Sequence, residues 1–175
     1  MRLGIFAKTF TGGPLEVMQA ARAAGFAEVQ YNMACSGLGA LPRHVPEPAL
    51  AEIRAAQNQT GLGISALSAT YNMIHPDLPK RMEGRESFAT LAACAKAMGT
   101  RILTVCTGSA DAHDQWRAHP DNATPAAWAA MCAEFEALIP LAETHDLLIG
   151  VEPELANVVA SARDARRLID QLQSD

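Results

Sequence analysis

Five times along this chain a short apolar run gives way to a stretch with apolar residues at helical spacing, and this alternation limits the fold more than any other feature. The runs are RLGIFA at 2–7, AEVQYN at 27–32, LGISALSAT at 62–70, RILTVC at 101–106 and LLIGV at 147–151. Helical periodicity runs through Leu15, Met18 and Ala21 to Gly25, and then from about Pro46 to Thr60, where Gly61 stops it. It returns through Phe88, Leu91, Ala92, Ala95 and Met98 before Gly99, and again through Trp128, Met131, Phe135 and Leu138. Thr124 reads as the N-cap of that fourth helix, with Pro125 at its first position. Ser161 can cap a fifth, turning Ala165, Leu168, Ile169 and Leu172 inward. Strands that are apolar on both faces and alternate with helices form a parallel sheet through right-handed crossovers.

No linker, repeat or low-complexity segment interrupts the five units, so residues 1–175 read as a single α/β domain. Two architectures fit: five consecutive βα units of a partial TIM barrel, or a complete five-stranded doubly wound parallel sheet. Polar loops follow strands two, three and four, and an acidic pair follows strand five. A barrel uses several such loops at once, whereas a doubly wound sheet concentrates its site at one switch point. The doubly wound reading also lacks a Gly-rich phosphate loop.

With 49% hydrophobic and 19% charged residues, the chain has the composition of a globular domain. A net charge of −5 argues against a nucleic-acid partner, which needs clustered Lys and Arg. No signal peptide or membrane span is legible. Cys35, Cys94, Cys106 and Cys132 are widely spaced and form no CxxC pair, which points to a reduced, cytoplasmic protein.

The fifth strand leads into Glu152, Pro153 and Glu154. By strand parity Glu152 shares a face with Leu148 and Gly150, while Leu147, Ile149 and Val151 take the other. A carboxylate at the tip of an apolar strand requires a metal ion, a cationic side chain or a backbone N–H as partner. Pro153 disturbs the alternation before Glu154, and Asn157 could orient Glu152 but reads first as a cap on the approach to the fifth helix. Cys106, on a face with Ile102 and Thr104, reads as packing rather than as a nucleophile. The loop TGSADAHDQWRAHPDNA at 107–123 is long enough to suggest a lid or substrate-binding loop.

The segments IFAKTF at 5–10, GFAEVQYN at 25–32, SATYNMIHPD at 68–77, VCTGSADAHDQWRAHPDN at 105–122 and GVEPELANVV at 150–159 together resemble the sugar phosphate isomerase/epimerase family of the xylose isomerase-like TIM barrels. The resemblance implies proton transfer beside a carbonyl through an enediolate, on a small sugar or sugar-phosphate substrate, with a divalent metal, Mn²⁺ or Mg²⁺. It implies that Glu152 is both metal ligand and catalytic acid/base, with the other ligands (Asp, His and Glu) supplied from strands six to eight. Those strands have no counterpart before Asp175, so the expectation is a truncated barrel, inactive as this chain. Gln30 stands where relatives often carry Glu, and it could hydrogen-bond a hydroxyl without trading protons.

For the same substrate, Tyr71 and Asn72 offer an aromatic face and an amide near a strand tip, and His75 follows in that loop. Lys8 and Arg117 are candidate phosphate ligands, Trp116 a stacking platform, and Glu154 a further substrate contact. Two other functions compete. One is a non-catalytic half-barrel that pairs with a second copy through its open edges, forming a homo-oligomer. The other is the DNA-repair endonuclease branch of the superfamily, which the acidic charge weighs against.

Overall fold

The computed structural model describes residues 2–173, so the expected break at Asp175 lies outside the described residues. The strands are β1 (Gly4–Phe6), β2 (Glu28–Tyr31), β3 (Gly63–Ser68), β4 (Ile102–Val105) and β5 (Leu148–Val151). The helices are α1 (Pro14–Ala23), α2 (Glu47–Thr60), α3 (Leu78–Ala95), α4 (Pro125–Thr144) and α5 (Ala162–Leu172). Every pairing is parallel, and the strand order is β1-β2-β3-β4-β5. A doubly wound sheet must reverse its order at a switch point. This sheet never does, so the chain forms five consecutive units of an α/β barrel.

Because each crossover has the same hand and moves one strand along, all five helices lie on one face of the sheet. Val29, Tyr31, Leu67, Leu103 and Val105 point to that face and are fully buried. Phe88, Leu91, Ala92, Ala95 and Met98 meet them from α3 and the short 3-10 turn after it, as the periodicity requires. Thr124 and Ser161 cap α4 and α5, accepting from the amides of Ala127 and Asp164. The fifth helix departs from its sequence reading at one position: Leu168 is buried, but Ile169 is 51% exposed. The other sheet face carries Phe6 and Leu148, which remain 38% and 57% exposed.

The register skips one residue between Val29 and Gln30, so β3 bulges at Ser65. Ser65 Oγ donates to the carbonyl of Val29, and Thr100 Oγ1 donates to that of Ser65. The extra residue resets the alternation in β3. Leu67 faces the helices, and Ala66 and Ser68 face the open side, aligned with Gln30 and Thr104 respectively.

Behind the sheet, Glu134 of α4 is 1% exposed and receives Arg85 through two bonds of 2.8 and 2.6 Å. Tyr71 Oη donates to the same carboxylate at 2.9 Å. Burial, followed by the Glu134 charge, pushes the Tyr71 hydroxyl far above its ordinary range. Gly84 sits in the middle of α3 because the Tyr71 ring lies against its backbone. A β-carbon there would stand 2.7 Å from Tyr71 Cε2 and closer still to Cγ and Cδ2. Helix propensity alone makes Gly→Ala favourable by about 1 kcal/mol. At this position steric overlap reverses the sign, and Gly84→Ala is expected to destabilise the fold by roughly 1–3 kcal/mol in urea unfolding.

Candidate active site at the strand ends

The open sheet face gathers its polar groups at the C-terminal ends of the strands. Glu152 directly follows β5, and its amide extends the ladder by donating to the carbonyl of Val105 at 2.9 Å. Its side chain, half-buried, therefore falls on the face of Leu148 and Gly150, as parity requires. The partner it finds is an amide. Gln30 Nε2 donates to Glu152 Oε1 at 3.0 Å and to Thr104 Oγ1 at 2.7 Å. Gln30 reaches across β3 to do so, and the small Ala66 and Ser68 on that strand leave it room. The ends of three strands, β2, β4 and β5, are thus joined through one amide.

Other candidates are placed differently. Tyr71 is turned into the helical layer and bound to Glu134, so its ring is not offered at the strand ends. Asn72 is occupied within the loops: Oδ1 accepts from the amides of Ser109 and Ile74, and Nδ2 donates to the carbonyl of Ser109 at 2.8 Å. Both ring nitrogens of His75 are engaged, Nδ1 accepting from the amide of Asp77 and Nε2 facing the carbonyl of Ala112 at 3.1 Å. Arg117 pairs with Asp111 at 3.4 Å, and the Trp116 indole is 50% exposed. Lys8 lies exposed just beyond β1. Glu154 is half-buried, its amide bonded to the carbonyl of Val159.

The β4–α4 loop is an ordered scaffold. Ser109 and Asn122 are buried; Asn122 Oδ1 accepts from the amide of Ala110, and its Nδ2 donates to the carbonyl of Ala156. Asn157, read from sequence as a helix cap, instead bridges the loops after β4 and β5. Its Oδ1 accepts from the amide of Gly108 at 2.7 Å and its Nδ2 donates to the carbonyl of Gln115 at 2.9 Å. Gly108 has φ +78, and a β-carbon there would stand 2.8 Å from Asn72 Cα. Amides from His113 and Asp114 hold the Asp111 carboxyl below its ordinary range. Sequence reasoning missed Ser109 and Asn122, whose only signal was small polar residues spaced through a long loop.

Cys106 is buried beside the site, and burial, aided by the Glu152 and Glu154 charges, pushes its thiol up to about 11. A thiol protonated at neutral pH is a packing group, not a nucleophile. A cavity of about 600 Å³ lies nearby, between the β4–α4 loop and the starts of α4 and α5, lined by His119, Asn122, Trp128, Leu155 and Arg167. Glu152 does not line it, so volume alone does not locate the chemistry.

Divalent ions of the hard type take about six oxygen donors, several of them carboxylates. Among the described residues no group of three His, Cys, Asp or Glu side chains could hold an ion.

A sequence model of the xylose isomerase-like TIM barrel matches residues 18–175. The chain belongs to that family. The solved structures it resembles include the 3-keto-D-glucoside 4-epimerase of E. coli, at 15% identity and a TM-score of 0.75, covering 98% of this chain and 64% of that one. They also include a xylose isomerase-like TIM barrel protein from Mycobacterium smegmatis in complex with magnesium, at 15% identity and a TM-score of 0.73, covering 99% and 61%. A third is a D-allulose 3-epimerase from Methylomonas sp. in complex with D-allulose, at 16% identity and a TM-score of 0.72, covering 99% and 59%. No protein of curated function matches significantly. At such identities the likeness is one of fold, and the chain spans about three-fifths of the length of these structures.

Asn157 links two loops through buried bonds, so Asn157→Ala is expected to cost about 1–3 kcal/mol. Amide exchange should accelerate in residues 107–117 and remain unchanged in β1 and β2. Alkylation of Cys106 by iodoacetamide, followed by mass spectrometry, is expected to be slow at pH 8 and to accelerate only as pH approaches the raised value of about 11.

Proposed function

We propose that this chain carries the β1–β5 portion of a sugar isomerase or epimerase site, in which Glu152 moves a proton beside the substrate carbonyl. The convergence of Gln30, Thr104 and Glu152 at the strand ends carries this reading. Barrels of this kind place their chemistry at that end. A half-buried carboxylate is a suitable base for a carbon acid, and the same group, once protonated, can return the proton. Tyr71, Asn72 and His75 shape the mouth indirectly, by fixing loops. Trp116, Lys8 and Glu154 have side chains placed to meet a small sugar or sugar phosphate, and Arg117, exposed but paired with Asp111, could turn from that pair to a phosphate.

Metal dependence is part of the proposal: Glu152 would give one oxygen to Mn²⁺ or Mg²⁺, with the remaining donors supplied from beyond residues 2–173. When bound, such an ion would polarise the sugar carbonyl and acidify the neighbouring C–H. Since the described residues gather no group of three ligating side chains, the chain by itself should bind Mn²⁺ weakly and turn over sugar poorly.

Mn²⁺ titration followed by electron paramagnetic resonance, with D-allulose titration followed by NMR, tests the reading. Weak binding of both, lost in Glu152→Ala, is the expected outcome. Binding that is indifferent to Glu152→Ala would remove Glu152 from the site.

A second reading, self-association through the sheet edge, has its own observation. An apolar groove of about 290 Å³ lies beside β5, lined by Ile139, Leu147, Leu148, Ile149, Ile169 and Leu172. Among the described residues β5 pairs only with β4, which leaves its other edge to a second copy. Light scattering distinguishes the two: a concentration-independent monomer would rule out pairing.

A further inference from the structure

We infer that Gln30 is a positioning residue for Glu152 that leaves one carboxylate oxygen wholly open to a ligand. This deepens the reading of the same site and depends on it only for the identity of that ligand. A primary amide carries two hydrogens on its nitrogen. In Gln30 one meets Thr104 Oγ1 at 2.7 Å and the other meets Glu152 Oε1 at 3.0 Å. Both are spent inside the protein, so none remains to donate to a substrate hydroxyl. What Gln30 retains is its carbonyl oxygen, which can only accept.

The orientation of the amide is set by its neighbours. A flipped amide would aim its carbonyl at the carboxylate, acceptor against acceptor. Glutamate at position 30 would bring two carboxylates to about the same 3.0 Å and force one to stay protonated. Glutamine is the residue of this length that can grip the carboxylate while leaving it charged. Thr104 anchors the grip to β4, and Ala66 and Ser68 leave the passage across β3 open.

The two carboxylate oxygens therefore divide their roles. Oε1 is held by Gln30, and Oε2 has no protein hydrogen-bond partner among the described residues. Oε2 is the oxygen left wholly to the ligand, on a side chain held in one rotamer before the ligand arrives. A freely rotating glutamate would have to be ordered on binding, at an entropic cost.

Side-chain NMR of the full chain tests this without any assay of turnover. In the wild type, the three-bond couplings of Glu152 should report a single rotamer. In Gln30→Leu and in Gln30→Asn, whose amide is too short to reach, they should collapse to rotamer-averaged values, while the backbone amide spectrum away from the strand ends is unchanged. Thr104→Val should produce a smaller loss of order, because it frees only the anchor. Averaged couplings in the wild type, or a fixed Glu152 in both Gln30 variants, would overturn the inference. If Glu152 is fixed in the wild type and loosened in the variants yet D-allulose does not bind, the proposed function fails and the positioning role stands.

Discussion

The structure depends on a parallel ladder that adds its strands strictly in chain order. Because no connection skips a strand, every helix falls on the same side, and the two sheet faces acquire different duties. One face buries Val29, Tyr31, Leu67, Leu103 and Val105 against the helices. The other presents Gln30, Ser68, Thr104 and Glu152 from successive strands, and this alignment makes a shared site possible. The bulge at Ser65 is needed for it: if Ser65 joined the regular alternation, Leu67 would face the open side and Ser68 would be driven into the apolar layer.

Two glutamates show how the same side chain is handled on the two faces. Glu134, fully enclosed, is neutralised by Arg85 and braced by Tyr71, since an uncompensated charge there would cost several kcal/mol. Glu152, half-buried at the strand ends, has a neutral amide and no paired cation among the described residues. A fully neutralised carboxylate is a structural group. One that keeps its charge and a free oxygen can take a proton or join a ligand.

Between these lies a layer of loops fastened by amide side chains. Asn72, Asn122 and Asn157 each bond to the backbone of a neighbouring loop, and His75 does so through Nε2. These bonds make the β4–α4 segment a fixed wall, with Trp116 and Arg117 exposed on it. The length of that segment suggests a lid or substrate-binding loop, and the hydrogen bonds that tie it to its neighbours are a feature that length does not reveal.

The sequence by itself determined the five strand–helix units, nearly all of the buried stripes and the face on which Glu152 lies. These follow from periodicities of 2 and 3.6 residues, which local chemistry writes directly into the chain. Thr124 and Ser161 were legible as caps for the same reason, because capping is a bond within one turn. Tertiary structure alone decided the order of the strands, since pairing between runs thirty or more residues apart leaves no local mark. It also decided the fates of the polar residues: Tyr71 went to Glu134, Asn157 to Gly108 and Gln115, and Gln30 to Glu152, a partner 122 positions away. A side chain's partner depends on what the fold brings within hydrogen-bond reach. Glu152 was therefore visible from the sequence as a charge in need of a partner, and only the folded chain showed that its partner is an amide.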